Sequence, residues 1–243
     1  MKRSAMNSRR KFLLQGGMAT TALLVAKPFQ TIAESGIPLG ASTRNNNKIT
    51  FLHTGYQASL SADQLLQEIN AHKHHSNVVL MDAADATANH PVKLPYDASI
   101  SRNNPVSGTA NNFRIIYKGN IKIGVISATA ADTDVIGHIN KLSAYLKKEK
   151  NCHIVVCLSQ LGYKNNHKVD DRTLAAASTS LDMIIGGNAT NHSKKPVVLL
   201  NKDNAEVVIS HSPGNDLPLS QVDIAFNKQG KKSHIAFNHV FQS

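Results

Sequence analysis

An apolar run, Leu181 to Ile185, stops in Gly186-Gly187 and then offers only amides and a hydroxyl in Asn188, Ala189, Thr190 and Asn191. A second run, Asn77 to Met81, stops at two aspartates, Asp82 and Asp85, and a third, Ile154 to Leu158, stops at Ser159 and Gln160. Turns that follow buried strands are where side chains from distant parts of a chain meet a ligand. Carboxylate, amide and hydroxyl oxygens suit hydrogen bonding to a polar molecule, or weak holding of a hard cation such as calcium or magnesium. They do not make a nucleophile, because spacing alone assigns no histidine and carboxylate to Ser159. Asp82 reads as a turn-former rather than a catalyst.

Twelve histidines invite a metal-site reading. His72, His74 and His75, however, fall at the end of a predicted helix, where imidazoles near the last carbonyls are favoured electrostatically. Asn188-Ala189-Thr190 and Asn191-His192-Ser193 satisfy the glycosylation triplet, a signal that matters only in a glycosylating secretory pathway. Cys152 and Cys157 are five apart in a predicted buried strand, which sends them to opposite faces and too far apart for a bridge. Two buried thiols are expected.

The elements that must position these residues alternate. Lys48 to Gly55 reads as a strand, and Ser61 to His75 as a helix with Leu65, Leu66 and Ile69 at helical spacing behind a Ser61 or Asp63 cap. After the strand at 77–82 comes a polar passage, 87–112, with no convincing period. Residues 113–129 read as a hairpin turning at Lys118-Gly119-Asn120. A helix from His138 to Lys150 leads to the strand at 153–162, and a helix from Asp170 to Ser180 leads to the strand at 181–187. The end of the chain reads as two hairpins, turning at Asp203-Asn204 and Gln229-Gly230. This order argues an α/β layered β-sandwich flanked by helices, with its site at the strands' carboxyl ends.

The formal net charge is +11, but Lys2, Arg3, Arg9, Arg10, Lys11 and Lys27 all precede the first acid, Glu34. Without those six the balance is 21 basic against 16 acidic residues, a net of +5 scattered along the chain, so no nucleic-acid partner is expected. The same N-terminus places Arg9-Arg10 before a short, mildly apolar run from Phe12 to Ala26 and a small-residue exit near Ala33, the pattern of a twin-arginine export signal. That run is shorter than the ~18 residues a spanning helix wants. The expected organisation is a signal at 1–33, a linker at 34–47 and one domain at 48–243, exported to the periplasm, with no transmembrane segment in the mature part.

Five segments in order, "ITFLHTG", "VVLMDAAD", "IKIGVIS", "IVVCLSQLGY" and "LAAASTSLDMIIGGNATN", resemble the 5'-nucleotidase branch of the calcineurin-like metallophosphoesterases. The last hairpin, from Asn201 to Phe226, is similar to the one that closes the same domain. The resemblance implies a two-metal phosphoester hydrolase fold, in which cations ~3.5 to 4 Å apart share a bridging carboxylate and are flanked by histidines and an amide.

The ligands that the resemblance calls for are mostly replaced. Where the family has an aspartate and a histidine after the first strand, this chain has Tyr56 and Ala58. The family's bridging aspartate aligns with Asp85, the one ligand retained. Nothing matches the Gly-Asn-His-Glu motif, and only 27 residues, Ala86 to Asn112, separate Asp85 from the next hairpin, so the domain is shortened. Gln160 stands for the histidine of Ser-His-Leu-Gly, and Asn188 and Thr190 stand for the two histidines of Gly-Gly-His-Ser-His. One carboxylate cannot balance two dications.

The expected site is therefore a degenerate cleft of Tyr56, Asp85, Gln160, Asn188 and Thr190, with no catalytic residue and with Asp85 as sole residual metal ligand. His53, His192 and His211 are candidates for a new site in the same cleft, although His53 matches a family position that does not ligate metal. No cofactor is expected beyond weakly held manganese, zinc or calcium, and the partners expected are an active homologue or a small polar ligand. The expected role is a binding or scaffolding module; the alternatives are a phosphoester hydrolase with an altered metal site and a decaying copy with no selected role.

Overall fold

The computed structural model describes residues 47–54, 62–73, 77–84, 95–100, 113–130, 132–165, 168–187, 191–193, 195–211 and 219–239. The elements run β1 (Lys48–Thr54), α1 (Ala62–Lys73), β2 (Asn77–Asp82), β3 (Ala98–Ser99), β4 (Phe113–Lys118), β5 (Ile121–Ala128), α2 (Val135–Lys148), β6 (Ile154–Ser159), α3 (Asp171–Ala177), β7 (Met183–Gly186), β8 (Val197–Leu200), β9 (Glu206–His211), β10 (Leu219–Phe226) and β11 (Lys232–His239). The expected signal peptide and the expected linker up to residue 46 lie outside the described residues, as does the expected Ser61 cap.

Two sheets are formed, one in the order β11-β10-β1-β2-β3 and the other in the order β4-β5-β6-β7-β9-β8. β1 and β2 are parallel in the first, and β5, β6, β7 and β9 are parallel in the second. The three expected hairpins are antiparallel pairs, closed by left-handed residues at Gly119, Asn204 and Gly230.

Alternation within β6 explains the layering. Ile154, Val156 and Leu158 join Phe51, Val79, Met81 and Val222 in the core between the sheets. Val155 and Cys157, pointing the other way, pack with Ile139 and Leu146 of α2 and Leu174 of α3. A smaller cluster of Leu52, Val78 and Leu80 takes Ile69 of α1 on the outer face of the first sheet. The result is helix, sheet, sheet, helix, the layered sandwich that the strand order predicts. A strand buried on both faces must be apolar at every position, which is why β6 reads as a continuous run.

Three expectations need correction. Cys152 and Cys157 share one apolar cluster instead of opposite faces, because Cys152 precedes β6 in a turn where Asn151 has φ 53°, and strand parity does not reach it. Both thiols are free and buried, and burial pushes the pKa of each upward. α2 begins at Val135 rather than His138, since the Asp134 carboxylate accepts from the Gly137 N–H at 3.0 Å and starts the helix a turn early. α3 ends at Ala177, three residues early, where Ser180 turns left-handed at φ 60°.

Opposite the carboxyl ends, Asp182 ties three layers together. Its carboxylate accepts from Lys147 of α2 at 2.6 Å, from Lys232 of β11 at 2.9 Å and from the Val155 N–H at 2.7 Å.

Candidate functional site

The carboxyl ends of the parallel strands from both sheets meet at one pole. His53 near the end of β1 bonds through Nε2 to the Ser210 hydroxyl of β9 at 2.8 Å, a link across the two sheets. Gly187, just after β7, lies so close to the end of β2 that a Cβ there would stand 2.0 Å from the Ala83 carbonyl oxygen and 2.6 Å from the Ala84 nitrogen. The backbone at Gly187 and that at Ala83-Ala84 are therefore in close contact. Gly186 is constrained in the same way, for its Cβ would stand 2.1 Å from His211 Nε2. The double glycine exists because two strand ends and an imidazole occupy the space that side chains would fill.

The end of β2 is held locally. Asp82 Oδ1 accepts from the Thr54 hydroxyl at 3.1 Å and from the Ala84 N–H at 3.0 Å, the turn-forming role that its position implies. Thr54 also bonds the Tyr96 hydroxyl at 2.9 Å. Burial, with the Asp82 charge adding to it, pushes the Tyr96 phenol well above its ordinary pKa, so it stays protonated.

The ends of β6 and β9 converge on α3. The Ser159 hydroxyl donates to Asp171 Oδ1, and His211 Nε2 lies 2.9 Å from Asp171 Oδ2, with all three side chains buried. A carboxylate only accepts, so the imidazole donates from Nε2–H. The ring edge of Tyr163 closes over His211 at 5.7 Å. Serine, aspartate and histidine are the residue types of a hydrolytic triad, but the order is wrong. Activation requires the imidazole between hydroxyl and carboxylate, whereas here the carboxylate stands between the other two. The cluster is a structural lock.

Of the five expected cleft residues, Gln160 is described: it is half-buried directly after β6, its N–H bonded to the Ala128 carbonyl at 3.0 Å. Tyr56, Asp85, Asn188 and Thr190 lie outside the described residues, as do His74 and His75 and the side chain of His72. His53 takes the structural hydrogen bond expected of it, His211 is locked to Asp171, and half-buried His192 takes no part in that lock. Among the described residues, no three His, Cys, Asp or Glu side chains converge as metal ligands would. Asp171 is the residue that sequence reasoning missed. Its signal was a second aspartate behind a capping one, at the start of a helix with Leu174-Ala175.

No family model and no curated protein sequence matches the chain. Solved structures do. A 5'-nucleotidase precursor from Thermus thermophilus superposes with a TM-score of 0.53 at 13% identity, over 80% of this chain and 54% of that one. The NAD nucleotidase of Haemophilus influenzae gives 0.57 at 12% identity, over 79% of this chain and 50% of that one. A hypothetical protein from Thermus thermophilus gives 0.51 at 8% identity, over 79% of this chain and 98% of that one. This chain thus spans about half the length of the two nucleotidases it matches. The fold is a mixed α/β, two-sheet fold shared with these solved structures, 5'-nucleotidases among them.

Proposed function

We propose that this protein is an exported, catalytically inactive relative of the 5'-nucleotidases that acts as a binding or scaffolding module through the pole where its parallel strands end. The observation that carries the proposal is the engagement of the two strand-end imidazoles described there: His53 bonds Ser210, and His211 bonds Asp171. Both rings are engaged at Nε2 in holding strand ends together, which gives them a structural role. The sequence adds Tyr56, Gln160, Asn188 and Thr190 at positions where the resemblance calls for aspartate and histidines, with Asp85 the one ligand retained. A cleft so composed offers hydrogen bonds to a small polar ligand, such as a nucleoside or a sugar, and needs no manganese, zinc or calcium to do so.

The competing reading is a phosphoester hydrolase that uses Asp85 with recruited histidines. Assay of the full chain and its Asp85→Ala variant on adenosine monophosphate and p-nitrophenyl phosphate, with manganese, zinc or calcium, separates the two. The proposal expects background turnover from both proteins. Metal-dependent turnover that disappears in the Asp85→Ala variant would establish the hydrolase instead.

A further inference from the structure

β8 ends the six-stranded sheet, paired on one side with β9. β8, Val197-Val198-Leu199-Leu200, is short and follows Lys195-Pro196, but within its own four residues it carries no charge, proline or bulge. Leu199 packs into the cluster under the helices, so alternation turns Val198 to the opposite face, where it is 42% exposed, while Leu200, the last residue of the strand, is 37% exposed. On the helix side, between α3 and β8, lies a groove of about 640 Å³ lined by Ala176, Ala177 and Leu199 together with Lys164, Arg172 and Lys202. None of these three cations forms an ion pair among the described residues. The carboxylate beside them, Asp170, has its oxygens taken by the N–H groups of Thr173 at 2.7 Å and Asn165 at 2.8 Å.

We propose that the outer edge of β8 docks an extended strand of a partner protein in which acidic and apolar residues alternate. A strand added to a sheet edge bonds through its backbone and sends successive side chains to opposite faces. Along β8, one row of side chains would meet Lys164, Arg172 and Lys202, and the other would continue the apolar surface of Val198. Charge selects the occupant. A second copy pairing edge to edge would bring the same three cations together on chains that each carry a net +5 beyond residue 33, whereas an acidic strand neutralises them. This surface is separate from the strand-end cleft, and neither proposal depends on the other.

The test uses the full chain and fluorescein-labelled octapeptides: one alternating glutamate and valine, one alternating lysine and valine, and one with the glutamates and valines in two blocks. Anisotropy titration should show binding of the alternating acidic peptide that weakens as salt screens the charges. Neither control should bind. Reversal at Arg172→Glu or Lys202→Glu should weaken binding at least about threefold each and about tenfold together. Val198→Lys, at an exposed position that leaves the core untouched, should weaken it comparably, and amide shifts on titration should centre on 172–177 and 197–202. Equal binding of all three peptides, no binding up to millimolar concentration, or shifts elsewhere would overturn the proposal. So would a concentration-dependent dimer lost on Val198→Lys, which would assign the edge to a second copy.

Discussion

Among the described residues of the strand-end pole, Asp171 joins two strand ends through its side chain. It is fully buried and joins β6 to β9 by accepting from Ser159 and His211. Replacing it by alanine leaves a buried hydroxyl and a buried imidazole without their acceptor, a loss on the order of 3 kcal/mol. Asp171→Asn keeps one acceptor oxygen and should cost less. Urea unfolding of the two variants checks this, and an alanine variant within about 1 kcal/mol of wild type would contradict the lock. Gly187 makes the parallel case for backbone. A Cβ would stand 2.0 Å from a main-chain carbonyl of β2's end, which no side-chain rotation can relieve. Gly187→Ala should lower stability by about 1 to 3 kcal/mol in the same experiment, and an unchanged unfolding midpoint would mean the strand ends do not approach as described.

At the scale of elements, α3 depends on its first turn. Asp170 caps it, and although burial acts to raise this carboxyl's pKa, the N–H bonds from Asn165 and Thr173, the Thr173 hydroxyl and the Arg172 charge outweigh burial and lower it. A lowered folded pKa means a contribution that is present above the unfolded carboxylate value, about 3.9, and lost as pH falls through the lowered one. Asp170→Ala should therefore cost about 1 kcal/mol at pH 7, and its difference from wild type should shrink in acid. A difference independent of pH would show that the cap acts through something other than its charge. The elements were legible where a period ran long enough: β1, β2, β6, β7 and three hairpins follow from alternation, apolar runs and turn residues. β3, two residues inside a polar passage, has no period to read. The lock was not legible, because Ser159, Asp171 and His211 are 12 and 40 residues apart in pairs and nothing local records their meeting. The double glycine stands out in the sequence as the stop of an apolar run, but what crowds it, the end of β2 and His211, is a tertiary fact.

For the whole molecule, the layered fold and the residues at its strand ends point in different directions. The architecture is shared with proteins described as nucleotidases, and such sheets aim their loops at a ligand whether or not a metal is held. The proposed export of the protein rests on the N-terminal arginines. If Arg9 and Arg10 serve export, changing both to lysine should leave the protein in the cytoplasmic fraction of a bacterium with a twin-arginine pathway, and unchanged periplasmic recovery would remove that reading. The central claim is that the strand-end pole no longer holds metal. It is tested most directly by saturating the purified protein with manganese, zinc and calcium in turn, removing free ion and counting bound metal per chain. The account predicts that almost none is retained; one or two tightly held ions per chain would contradict it and make phosphoester hydrolysis the leading function.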